Sequence, residues 1–517
     1  MLHIVRFWIS HPALFYGTSF ALGITLSLDR SFWNTIPILC LWLPFIYLPL
    51  SKDLKFIEVT KPLALSLIVC LSGWFFVNAH FTFPKLPAQG LEGIAYIKIK
   101  NISLQPGIFG ERWIYRCDIE TLYPDNTEIA PLTNTLPCII IFPHSMWKAD
   151  KRPIANQDYQ VKGKLIRKGR SYLLKVSARE TWEAVPNTSS WAEQRYHWKR
   201  TISKWIESHF TNTTSATFIA GLATGEFDDQ WMRQQFGRFG LLHLLAISGF
   251  HFAIIASFIN FVLSLCLPQK SRIITLLLCL GIYCIFLGPQ ASILRAWMMC
   301  SLALLGMLIG KQTIALNSLG FALLAILVYN PLSSLELGFQ LSFVTTAAIL
   351  LFYSPSQAWL HYLIPKRNLG TIMEMNRWNQ HGYCILSYFR EAIALTIAVN
   401  IYVLPFSLYY FQQFPWMSLV YNLFFPFLTS LSICLALLGA CASFIPFLAQ
   451  FIHYVNDQYT FFILQLTYQL PSSVDVYLIS ERFEPFWLVI YFCAIALGGI
   501  IWNEKSASED VKHLTFI

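Results

Sequence analysis

Residues 273–288 read IITLLLCLGIYCIFLG, and residues 291–310 read ASILRAWMMCSLALLGMLIG. One charge, Arg295, stands in the two runs together. A helix rises about 1.5 Å per residue, so about 20 such residues cross the roughly 30 Å hydrocarbon core of a bilayer. Outward from this pair, apolar runs recur at about 12–29, 33–50 and 62–82, and again at 239–267, 315–330, 335–353, 390–411, 416–445 and 486–502. The stretch 447–470 is aromatic and mixed, and reads as a span or as a surface helix. The count is 11 or 12 spans. Of the 517 residues, 55% are hydrophobic and 13% charged, against about 25% charged in a soluble domain. This excludes a soluble globular protein, a disordered chain and a fibrous repeat. The fold class is a polytopic α-helical membrane protein.

One long segment departs from the pattern. In Trp113-Ile114-Tyr115-Arg116-Cys117-Asp118-Ile119-Glu120, apolar residues alternate with mostly charged ones, the period of a half-buried strand. Similar alternation near 94–102, 135–142, 158–167 and 171–178 makes five short strands. Five is the strand number of an OB-fold, a small barrel that often binds oligonucleotides. The expected organisation is therefore three transmembrane helices over 1–83 and an inserted OB-fold-like β domain over 84–188. A basic amphipathic helix follows at 189–214, then a transmembrane domain over 215–503 and a short polar tail, 504–517.

Charge sets the orientation. Arg6 and the link 51–61, with three lysines, point the N-terminus inward, because cytoplasmic loops carry the basic excess. Residues 84–188 then fall outside the cytoplasm, and 354–388 inside. No convincing cleavage site follows the first apolar run, so it reads as a retained helix. Over 191–210, Trp191, Trp198, Ile202, Trp205, Ile206 and Phe210 share one face, with Arg195, Lys199, Arg200 and Lys204 largely off it. That suits an interfacial helix on membrane lipid, or a helix packed on a soluble domain.

Ten of the twelve cysteines lie in apolar or helical stretches, and no CxxC pair occurs, so no metal site is expected. Cys117 and Cys138 lie in the long polar segment, where oxidation is favoured, and are expected to form a disulfide. The stretch 84–185 holds 15 Lys+Arg against 10 Asp+Glu, with seven basic residues and no acid from Lys162 to Arg179. Lys162, Lys164, Arg167, Lys168, Arg170 and Lys175 are candidate contacts to a phosphate backbone. Tyr159 and Tyr172 read as stacking surfaces or as barrel core.

Polar groups inside apolar runs are costly and mark functional candidates. They are His243, Ser248, Gly249 and His251 in the run HLLAISGFH, then Ser292 and Arg295, then Glu336, Gln340 and Ser342. On a straight helix the two histidines lie about 12 Å apart, too far for one metal. Gly249 offers a break in that helix. Arg295 needs an acceptor, an anion or water, and Glu336 is the obvious structural partner. Asn400 and Asn422 read as helix–helix glue.

The run at 243–251 closely resembles the hallmark of the ComEC competence family, and Ser292-x-x-Arg295-Ala296 and Gly338-Phe339-Gln340-Leu341-Ser342-Phe343 follow in the family's order. Members usually show Leu where this chain has Phe250, and often Asp where it has Glu336. The resemblance implies an inner-membrane channel that passes single-stranded DNA into the cytoplasm during natural transformation. It also implies an extracytoplasmic DNA receptor, a separate cytoplasmic motor or processing proteins, and homo-oligomerisation as a further option. Many members end in a metallo-β-lactamase-like domain with a His-x-His-x-Asp-His cluster. The twelve histidines here include no pair spaced by two residues. The chain is therefore not expected to be an enzyme or to need a cofactor. Two other functions stay open: a transporter of a small anion or lipid, and, more remotely, an intramembrane serine protease built on Ser248 and a histidine.

Overall fold

The structure, a computed structural model, describes residues 2–28, 33, 35–47, 56–81, 86–87, 89–107, 110–125, 131–132, 135–143, 152–168, 171–177, 180–227 and 229–514. Four helices open the chain: α1 (Leu2–Ser10), α2 (Pro12–Leu28), α3 (Thr35–Tyr47) and α4 (Phe56–His80). Six strands follow: β1 (Leu91–Gly107), β2 (Gly110–Pro124), β3 (Leu136–Pro143), β4 (Tyr159–Lys168), β5 (Ser171–Lys175) and the short β6 (Glu183–Ala184). The second half is helical again. It begins with α5 (Ala192–His209), α6 (Thr213–Thr224), α7 (Gln230–Arg238) and α8 (Leu242–Leu245), and continues with α9 (Gly249–Ser264), α10 (Gln269–Leu287), α11 (Ala291–Ile309) and α12 (Ala315–Tyr329). After these come α13 (Leu337–Leu363), α14 (Leu369–Met373), α15 (Arg377–Phe411), the strand β7 (Gln413–Pro415), α16 (Met417–Cys441), α17 (Pro446–Tyr468), the strand β8 (Tyr477–Ile479) and α18 (Pro485–Leu514).

Among the described residues, seven helices are long and apolar enough to cross a membrane, and four shorter apolar helices accompany them. The protein is a multi-pass membrane protein. The mixed stretch 447–470 is a helix, α17, outside both groups. Its buried face explains the mixed composition: His453, Asn456, Asp457, Thr460 and Thr467 all turn inward. Two boundaries also differ from the sequence reading. The loop expected at 354–388 is largely helix, because α13 runs on to Leu363 and α15 starts at Arg377. The tail expected from 504 continues α18 to Leu514.

The five main strands close into a barrel in the order β1-β2-β3-β5-β4, with β4 returning to β1. Only β3 and β5 pair parallel. That circuit is the Greek-key barrel expected of an OB-like domain. Alternate residues fill it, among them Trp113, Tyr115, Ile119, Val161 and Leu165. Tyr159 and Tyr172 belong to the same core, so neither offers a free stacking face. Cys117 and Cys138 stand opposite each other across β2 and β3, both buried and both free thiols.

In the membrane part, α2 and α12 touch backbone to backbone. A Cβ on Gly320 would overlap Leu14, and one on Gly17 would overlap the Gly320 carbonyl. Asn317 secures the crossing: its Oδ1 accepts from the Ala13 N–H at 3.1 Å, and its Nδ2 donates to the Ser10 carbonyl at 3.3 Å. Such small-residue contacts stand in for a hydrophobic driving force that lipid does not supply. Gly320→Val is expected to cost more than about 3 kcal/mol, since a backbone cannot rotate away as a side chain can. Gly338→Ala is the control, because a Cβ there meets nothing within 4 Å. Thermal melting of the detergent-extracted chain checks both.

Candidate functional site

The hallmark run does not form the single span expected over 239–267. Helix α8 ends at Leu245, and Ala246 and Ser248 take extended backbone angles before α9 begins at Gly249. The two histidines therefore sit on different elements. His243 is exposed, with Nδ1 at 3.1 Å from the Gly240 carbonyl. His251 is fully buried in the first turn of α9. The Ser248 N–H donates to His251 Nδ1 at 3.3 Å, so the ring proton is on Nε2. That Nε2 is buried with no partner.

Three elements meet at the start of α9. From α11, Ser292 donates its hydroxyl to the Ile247 carbonyl at 3.2 Å, fixing the break in place. Arg295, one turn on, is 9% exposed and donates from Nη1 to the Ser342 carbonyl of α13 at 3.0 Å. Its Nη2 lies 2.9 Å from where a Cβ on Gly249 would sit. Glycine at 249 is thus what lets the guanidinium lie against the first turn of α9. Arg295 Nε and Ser342 Oγ are both buried without partners. The expected structural pair with Glu336 does not form: among the described residues no carboxylate lies within 4.0 Å of Arg295. Glu336 sits just ahead of α13, not on its face.

Gln340 belongs to a neighbouring network, donating to the Ser334 carbonyl and accepting from the Tyr410 hydroxyl, each at 2.8 Å. The structure thus joins Ser248, Gly249, His251, Ser292, Arg295 and Ser342 into one cluster. Gln340 hangs from the same helix as Ser342, and Glu336 stands apart. Tyr410 escaped the sequence reading because a tyrosine in an apolar run carries no polarity signal. The Ser248–His251 geometry does not support a protease. Ser248 Oγ is 3.5 Å from Nδ1, which already accepts from the Ser248 N–H within the same turn, so the pair is a helix cap.

The barrel stands over this end of the bundle. Lys100 and Arg116 on its outer face act electrostatically on Glu336. Arg195 of α5 donates to the Lys100 carbonyl and packs at the Gly288 turn between α10 and α11. Helix α5 combines both sequence readings: Trp191, Trp198, Ile202 and Trp205 are exposed on one face, while Lys199 is buried and paired with Glu226 at 3.0 Å. Buried Glu193 pairs with Arg152, whose guanidinium lies 4.4 Å over the Trp113 ring.

The candidate DNA contacts are more neutralised than their sequence suggests. Lys162 pairs with Asp125 at 2.7 Å and Lys164 with Glu92 at 2.8 Å, because β4 lies beside β1 and brings distant acids alongside. Lys164 and Lys175 are register partners across β4 and β5. Arg167 ends the inward phase of β4 but is exposed. Lys168 closes β4, and Arg170 lies outside the described residues.

Residues 197–505 match the family model described as Competence protein. A curated relative, ComE operon protein 3 of Bacillus subtilis (strain 168), is 27% identical over 206 residues, 38% of this chain and 26% of that protein. The match thus spans about a quarter of the relative's length. No solved structure matches. The family model covers well over half of the chain and takes in the broken helix, Arg295 and α13, so the chain belongs to the competence protein family.

Proposed function

We propose that the protein is the membrane channel component that passes single-stranded DNA into the cytoplasm during natural transformation. A strand carries one charge per nucleotide and cannot cross hydrocarbon, so it needs a polar path. One observation carries the reading: a buried guanidinium with no carboxylate within 4.0 Å among the described residues, turned toward the start of α9 beneath an OB-like barrel. The wider proposal puts the chain in the bacterial inner membrane with its N-terminus in the cytoplasm and the barrel outside. There, Cys117 and Cys138 meet oxidising conditions and form their disulfide. Burial and then the neighbouring Cys138 thiol push the Cys117 thiol well above its ordinary value. Partners are a DNA receptor outside and a motor or processing protein inside, with a second copy of the chain as a further option. The chain itself is assigned no catalytic step.

The test is uptake of fluorescently labelled DNA into the cytoplasm of a deletion strain, with and without the gene restored. Label that reaches the cytoplasm only in the restored strain supports the proposal. Equal uptake in both strains, with transport of a small anion lost, moves the reading to the small-anion transporter that a compact Arg295 site also suits.

A further inference from the structure

Helices α13 and α15 run antiparallel and are tied at both ends. At the barrel end the tie is Tyr410 to Gln340. At the other end, the Tyr353 hydroxyl and Gln357 Nε2 both donate to Glu391 Oε2, at 2.7 and 2.8 Å. Residues 392–411 are 20 in number, about 30 Å of helix, which fills the hydrocarbon core. Arg390 and Glu391 therefore mark its far boundary, the one opposite the barrel.

Cations collect just beyond that boundary without matching acids. Residues 361–391 hold four Lys+Arg (Lys366, Arg367, Arg377, Arg390) against two acids (Glu374, Glu391). Arg390 is 1% exposed; its Nη2 donates to Ser387 Oγ at 3.1 Å and reaches Glu391 only at 3.5 Å. Its Nε and Nη1 are buried with no partner. The other oxygen of Glu391 is already occupied by α13. The Arg367 N–H donates to the Tyr383 hydroxyl at 3.1 Å, and its guanidinium lies 6.0 Å over the same ring. Among the described residues neither Lys366 nor Arg367 has a carboxylate within 4.0 Å. Arg390 and Lys366 act electrostatically on the Tyr383 phenol.

Around them, Tyr362, Leu369, Met373 and Trp378 are 73–85% exposed. Aromatic and aliphatic side chains beside cations without carboxylate partners, on the headgroup side of the boundary that Arg390 marks, match the outer layer of a membrane. A nucleic acid would stack on the aromatics but has no use for Leu369 and Met373. We propose that Lys366, Arg367 and Arg390, gathered around Tyr383, hold the phosphate of an anionic phospholipid at the end of the bundle remote from the barrel. The acyl chains run back into the hydrocarbon core, and the phosphate oxygens meet the exposed Lys366 and Arg367 side chains, with the buried Arg390 charge behind them. This site does not depend on what the bundle transports.

The test is native mass spectrometry of the full chain, purified in detergent and mixed with phosphatidylglycerol, phosphatidylcholine or a short oligothymidylate. Retention of phosphatidylglycerol over phosphatidylcholine is expected, reduced about thirtyfold in the double variant K366Q/R367Q, since each basic residue near an anionic surface contributes on the order of 1 kcal/mol. Arg390→Lys, which keeps the buried charge, is the second variant and is expected to lose part of the preference at unchanged helical content. Equal retention of the two lipids, or retention untouched by the double variant, overturns the proposal. So does a variant that loses the oligonucleotide but keeps the lipid, which would assign the cluster to an exiting strand.

Discussion

Arg295→Ala is expected to lower labelled-DNA uptake by about 100-fold at unchanged protein level, while Arg295→Lys keeps most of it. The size follows from a charge-assisted hydrogen bond of about 3 kcal/mol, with about 1.4 kcal/mol per factor of ten. The geometry says why lysine suffices. Among the described residues only Nη1 has a protein partner, the Ser342 carbonyl, and a single carbonyl is satisfied as well by an ammonium as by a guanidinium. A bidentate pair with a carboxylate would need the planar fork and would reject lysine, but among the described residues no carboxylate lies within 4.0 Å of Arg295. Equal loss in both variants, with protein that melts early, would return Arg295 to holding α11 against α13. Gly249→Ala in the same assay is expected to resemble Arg295→Ala, because its Cβ would stand 2.9 Å from Nη2.

The second large effect lies between the barrel and α5. Glu193 is 6% exposed and accepts from Arg152 and from the Ala155 N–H. Burial raises its carboxyl, but the bonds from Arg152 and Ala155 outweigh burial and hold it below the ordinary value. A group whose folded pKa is depressed stabilises fully above its unfolded pKa, about 4.3, and loses that contribution as pH falls through the lower folded value. The barrel should therefore stay docked on α5 at neutral pH and loosen only below the usual carboxylate range. Glu193→Gln is expected to cost about 3–5 kcal/mol, leaving a buried guanidinium uncompensated, and the double variant E193M/R152M should recover much of it. Tryptophan fluorescence, dominated at this site by Trp113 and Trp182, follows the transition. A melting profile that ignores both pH and the single variant would refute the assignment.

The local periods of the sequence carried far. Strands read at 112–121 and 158–167 lie within Gly110–Pro124 and Tyr159–Lys168 or a residue from their ends, because period two is a property of each strand alone. What pairs with what is not local. The closure of β4 on β1 decides that Lys162 and Lys164 meet Asp125 and Glu92, and no window on β4 contains those acids. Lys199 looked like a surface cation for the same reason, since its partner Glu226 lies on a later turn. In the site, the residue types at 243–251, 295 and 340–342 were legible as polar groups in apolar runs. Their grouping was only partly so: Glu336 seemed the natural counter-ion for Arg295 by charge alone, and packing left it at the barrel's edge. Arg390 stayed hidden because it stands at the edge of its apolar run, where a charge is unremarkable. Asp457 lay in a stretch too mixed to be placed. Its Oδ2 accepts from the Thr211 N–H, the Thr211 hydroxyl and the Asn212 N–H, so it anchors the entrance to α6.

The glycine crossing of α2 on α12 has a consequence for how the protein is made. About 300 residues of chain separate Leu14 from Gly320, and α1 finds α18 only at the far end of synthesis. The first helices pack on one another, α2 against α4, but the face of α2 that meets α12 leaves the ribosome without its partner. That face must wait in the bilayer while the barrel is made and the four apolar helices α9 to α12 follow. A translation stall or nonsense codon before residue 320 leaves Gly17 without its Gly320 partner and facing lipid, a surface that membrane quality-control proteases recognise. Assembly of the core and survival of the N-terminal helices are thus one event, and a series of C-terminal truncations should show turnover of the N-terminal segment dropping sharply once α12 is included.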